Sequence, residues 1–106
     1  MTSFDDRKKA FEKKFAHDAE MQFKAAARRN KLLGHWLAGK LGEADADAYA
    51  RAVVIADLEE AGDEDVVRKV MADIAAVGAP VTEAEIRAKM AELMPEAMAQ
   101  VMSEAG

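Results

Sequence analysis

The stretch SFDDRKKAFEKKFAHDAEMQFKAAARRNKLLGHW, residues 3–36, decides the fold, because apart from Gly34 it holds nothing that breaks a helix. Ser3 followed by Asp6 reads as an N-cap with an acidic first turn, so the pattern allows one long helix from there. Phe4, Phe11 and Phe15 fall at i, i+7 and i+11, which at ~100° per residue confines them to a stripe only ~40° wide. Further on, Leu33, Trp36, Leu37 and Leu41 make a broader apolar face. Gly39 and Gly42 then loosen the chain and end the helix.

Three more helices follow. Asp45 or Asp47 can cap a second, whose apolar positions Tyr49, Val53, Val54, Ala56, Leu58 and Ala61 step by three and four, with Gly62 as its stop. Asp63 is expected to cap a third, with Glu64 and Asp65 where the helix dipole favours negative charge and Val66, Val67, Val70, Ile74 and Val77 facing inward. Gly78 and Pro80 end it. Thr82 with Glu85 forms a capping box for a fourth, in which Ile86, Met90, Leu93 and Met94 point to the core. Pro95 either kinks that helix or starts a short terminal one carrying Met98, Val101 and Met102.

The short connections predict antiparallel neighbours, and the fold class is all-α: a four-helix bundle with a long or frayed N-terminal helical arm. Residues 1–20 form the arm and 21–106 the bundle, with Leu33 to Val101 supplying the core. The arm has only its phenylalanine stripe to bury, and an isolated helix of that length is marginal in water. It is therefore expected to be frayed or detached when the protein is alone.

Composition agrees. The 106 residues are 51% hydrophobic but only 6% aromatic, which excludes a thick core. Strand formers are scarce and Ala, Glu, Lys, Met and Leu abound, as in helices. There is no cysteine, so thiolate catalysis, disulfides and cysteine-held metals are excluded. No stretch approaches the ~20 apolar residues that span a bilayer, and the expected location is cytoplasmic without direct membrane insertion. The net charge of −5 conceals an asymmetry: through Lys31 nine basic residues face five acidic ones, a balance of +4, and the remainder carries −9. All four phenylalanines lie in the basic part.

Catalytic chemistry finds little support. The serines, Ser3 and Ser103, lie at the ends, Thr82 is committed to capping, and these positions speak against a Ser-His-Asp arrangement. His17 and His35 stand ~27 Å apart along a helix axis and cannot share a metal. Neither has a glutamate three residues before it, so the Glu-x-x-His element of di-iron bundles is missing. Metal and cofactor are both expected to be absent. Gly34-His35-Trp36-Leu37-Ala38-Gly39-Lys40 matches the first seven positions of a P-loop, but Leu41 replaces the hydroxyl that would hold Mg²⁺ and no strand precedes it. The acidic run Asp57, Glu59, Glu60, Asp63, Glu64 and Asp65 reads as a solvated corner. The basic run from Lys24 to Lys31 leaves weak ATP or ADP contact by Arg28, Arg29 and Lys31 open. An acidic body argues against nucleic acid.

The arm is different. Aromatic residues on one stripe, flanked by charge, are the anchors of helix-in-groove recognition. The residues Phe4-Asp5-Asp6-Arg7, Ala10-Phe11-Glu12, Lys14-Phe15-Ala16-His17-Asp18, Glu20, Phe23-Lys24 and Ala27-Arg28-Arg29-Asn30-Lys31-Leu32-Leu33-Gly34 with Trp36 closely resemble the ζ subunit family of alphaproteobacterial F-type ATP synthases. The likeness continues through Tyr49-Ala50, Asp57, Glu59-Glu60-Ala61-Gly62, Glu64-Asp65-Val66, Arg68-Lys69-Val70 and Lys89-Met90-Ala91-Glu92-Leu93.

The resemblance implies a small four-helix inhibitor of the F1 sector, a regulator and not an enzyme. Its N-terminal segment would enter a catalytic subunit interface near the rotor and block ATP hydrolysis, which would place the protein peripherally on the inner membrane through F1. The site residues so implied are Phe4, Phe11 and Phe15 as anchors, with Asp5, Arg7, Lys14 and His17 beside them. Lys8, Lys9 and Lys13 depart from the family pattern and make this arm more basic. The competing reading is a nucleotide-responsive helical module that does not act on F1.

Overall fold

The computed structural model describes residues 3–58 and 62–105, with side chains for 19–58 and 62–104. It consists of α1 (Ser3–Leu41), α2 (Ala46–Asp57), α3 (Glu64–Val77) and α4 (Glu83–Ala105). No strand occurs among the described residues. At 39 residues α1 is ~58 Å long, and it sets the long dimension of a molecule measuring 63 × 24 × 21 Å.

The helix ends follow local chemistry in most places. The carboxylate of Asp45 accepts the Ala48 N–H at 3.0 Å and opens α2. The Glu85 N–H donates to Thr82 Oγ1 at 3.2 Å and opens α4. Gly42 closes α1 at φ 73, a left-handed conformation that a side chain would strain. It lets the Glu43 N–H reach back to the Ala38 carbonyl at 2.9 Å.

Several expectations are corrected. Asp63 precedes α3 but makes no side-chain cap bond; its carboxylate is taken by Arg29, a charged partner that outcompetes a neutral N–H. α2 stops at Asp57, not near Gly62, and leaves Leu58 exposed. Leu58 is in a turn, and Asp63 on the other side of residues 59–61 meets Arg29 of α1. Val77 is exposed at the end of α3. Of the two readings of Pro95, the separate terminal helix is excluded, because Pro95 lies inside a continuous α4.

Leu33, Leu37, Val53, Val66, Val70 and Ile86 are buried completely at the centre of the core. Gly34 lets α1 and α2 touch, since a Cβ built there would stand 2.6 Å from the Ala50 Cα. α1 runs antiparallel to both α2 and α4. Gly34 meets Ala50 while Arg29 reaches Asp63 beyond the far end of α2, and Trp36 lies under Lys89 while Arg28 reaches Gln100 and Glu104. α3 departs from the antiparallel expectation at α4: Arg87, in the second turn of α4, forks onto Glu64 at the start of α3. α3 therefore crosses the beginning of α4 instead of running along it.

Candidate functional site

Burial divides α1. From Ala25 onward one face is enclosed, whereas of residues 19–24 only Met21 is partly covered. The helix thus extends ~33 Å from Ala25 back to Ser3, at 1.5 Å per residue. Phe4, Asp5, Arg7, Phe11, Lys14, Phe15 and His17 all fall on this extension, and their side chains lie outside those described.

Arg28, Arg29 and Lys31 do not share one site. The Arg29 side chain is 4% exposed. Its Nε and Nη2 donate to Asn30 Oδ1 at 3.1 and 2.8 Å, and Nη2 and Nη1 donate to Asp63 at 2.8 and 3.3 Å. The bonds to Asp63 hold the α2–α3 turn against α1, and those to Asn30 fix the guanidinium on its own helix. Burial and the neighbouring Asp63 and Asp65 raise the Asp57 carboxyl above its ordinary value, against the opposing pull of Arg29 and Asn30. Asn30 lies near Asp57, but its Nδ2 makes no full hydrogen bond.

The acidic run is solvated at Asp63 and Glu64, as expected, but not at Asp65, which is buried. Asp63 pairs with Arg29, Glu64 with Arg87, and buried Asp65 with Arg68; Glu59 and Glu60 lie outside the described residues. Among the described residues no group of three or more His, Cys, Asp or Glu is arranged to hold a metal ion.

Arg28 and Lys31 face a cleft of about 670 Å³ between α1, α2 and α4. Ala27, Val54 and Val101 line its apolar part together with Phe23 and Ile55, while Lys24, Arg51 and Glu104 complete the rim. Arg28 donates to Gln100 Oε1 at 2.9 Å and to Glu104 at 2.7 Å. That hydrogen bond raises the Arg28 pKa and lowers that of Glu104. Phe23, Arg51, Ile55 and Val101 were not singled out as site residues in the sequence. The only available hint was that Arg51 is the sole basic residue of α2.

The P-loop-like stretch is helix throughout. Its Trp36 ring lies 4.9 Å from Lys40 Nζ and 5.2 Å from Lys89 Nζ, two cation–π contacts on a continuous helix that has no loop to cradle a phosphate.

No curated protein matches the chain significantly. The family described as ATPase inhibitor subunit zeta matches residues 1–100, which spans all of α1, the Arg29 lock and α4 as far as Gln100. With four helices among its described residues, and a match over almost its entire length, the chain belongs to the ATPase inhibitor subunit zeta family.

Proposed function

We propose that the chain inhibits ATP hydrolysis by the F1 sector of F-type ATP synthase, with residues 1–20 as the inhibitory arm. The arm inserts at a catalytic subunit interface near the rotor. Phe4, Phe11 and Phe15 anchor it, while Asp5, Arg7, Lys14 and His17 pair with polar groups along the groove. The body, residues 21–106, stays outside and fixes the direction in which the arm points. The protein acts as a regulator without turnover of its own, in the cytoplasm and peripheral to the membrane through F1. No described helix is long and apolar enough to cross a bilayer.

The observation that carries this reading is the extension of α1 beyond Ala25. A helix that continues past its own core, with three phenylalanines at positions that share one stripe, is presented to another surface. Ordering its side chains there consumes binding energy, so inhibition depends on the state of the cleft that receives it. Deleting residues 1–15 should abolish inhibition of isolated F1 while the far-ultraviolet circular dichroism of the body persists. Undiminished inhibition by the truncated chain would sink the proposal.

The alternative, a nucleotide-responsive module, has Arg28 and Lys31 at the cleft in its favour. It loses Arg29, whose donors are spent on Asn30 and Asp63. Saturable NMR shifts with ATP or ADP around the cleft, together with no binding to F1, would favour it.

A further inference from the structure

The cleft between α1, α2 and α4 combines two features that a solvated monomer surface rarely joins. Phe23 and Ile55 line it yet remain 64% and 59% exposed, an apolar patch open to a partner. Around them stand Lys24, Arg28, Lys31 and Arg51 against the single acid Glu104. Arg28 is paired with Glu104, and Lys24 only with exposed Glu20. Lys31 and Arg51 make no ion pair among the described residues. On a chain of net charge −5 this cleft carries the opposite sign.

We propose that this cleft is a second docking site, taking an acidic amphipathic helix from a protein partner. Lys24, Arg28 and Lys31 occupy i, i+4 and i+7 on α1, a row ~10 Å long that matches two turns of an incoming helix. Arg51 closes the row from α2. Acidic side chains at helical spacing meet these cations, and the apolar face of the incoming helix covers Phe23, Ala27 and Ile55. A compact phosphate ligand fits less well. Phosphate sites converge cations and free backbone N–H groups on a point, whereas every lining residue comes from α1, α2 or α4, with no helix N-terminus among them. The arm of the same chain is also a poor occupant, because it is itself rich in lysine.

The docking rests on the cleft alone and does not require the arm to inhibit F1. The test is an NMR titration of the full chain with a synthetic amphipathic helical peptide bearing Leu on one face and Glu beside it. Its counterpart carries Lys in place of each Glu. The Glu peptide should give saturable shifts at Ala27, Arg51, Ile55 and Val101, and the Lys peptide none.

The double variant Lys31→Glu with Arg51→Glu should weaken the Glu peptide by roughly tenfold or more and gain binding to the Lys peptide. That gain shows that the variant is folded. Equal binding of both peptides, shifts mapping elsewhere, or an unchanged affinity in the double variant would overturn the proposal. So would saturation of the cleft by ADP with no response to the Glu peptide.

Discussion

The two halves of α1 share one helical backbone but not one source of stability. From Ala25 to Leu41 the helix is held by what it touches: Leu33, Leu37 and Ala38 are fully buried, Gly34 lies against α2, and Arg29 grips the α2–α3 turn. At residues 19–24 the side chains are exposed apart from a partly covered Met21, so local terms dominate in that stretch. The contrast is between a stretch held by tertiary contacts and one that, at residues 19–24, makes few of them; under the proposed function the first is the mount for the second.

The contrast breaks most visibly where function and stability are separated. Replacing Phe4, Phe11 and Phe15 together by Ala should abolish inhibition of F1 hydrolysis and leave the urea midpoint of the body unchanged. A large drop in that midpoint would mean that the phenylalanines belong to the core and not to a partner.

Arg29→Met should do the reverse. It strands the buried Asn30 Oδ1 and leaves Asp63 to water, at a cost of roughly 2–3 kcal/mol in urea unfolding. Inhibition per folded molecule should be retained. Retained stability would show that the Arg29 lock is incidental to the fold.

Gly34→Ala is expected to cost less. Overpacking against the Ala50 backbone costs about 1–3 kcal/mol, and up to ~1 kcal/mol returns through better helix propensity. A lowered thermal midpoint checks the sign; a rise would mean that α1 and α2 separate readily.

The smallest effects are electrostatic and opposite in pH dependence. Glu104 is held below the usual carboxylate range by Arg28, so its contribution is present above that range and is lost as pH falls through the lowered value. Arg28→Gln should therefore reduce the thermal midpoint slightly at neutral pH and not in acid. Asp57 is raised chiefly by burial, so its charged form opposes folding at neutral pH. Asp57→Asn should raise the midpoint there, and the gain should shrink as pH falls and the native carboxyl takes up its proton. Equal gains at both pH values would assign the effect to something other than charge.

Much of the secondary structure was legible in short stretches. The Asp45 cap, the Thr82 and Glu85 pair and the Gly42 and Gly78 stops act within a few residues, and all appear where the chain places them. Asp63 misled because its local role as a cap lost to a partner 34 positions away. Arg29 looked like its neighbours Arg28 and Lys31 for the same reason. Their fates differ by which face of α1 each occupies and by what the other helices bring to that face.

Sequence alone determined four helices, the aromatic stripe of the arm and the family resemblance, because helix spacing, capping and a long run of matching residues are local and countable. Only the tertiary structure decided that the described part of α1 is enclosed from Ala25 onward and not at residues 19–24, that Arg29 is a buried lock, and that an apolar cleft with a cationic rim forms from three helices. Those outcomes depend on burial and on pairing between residues far apart in the chain, where the energy of an ion pair or a close backbone contact is set by its neighbours and not by its sequence position.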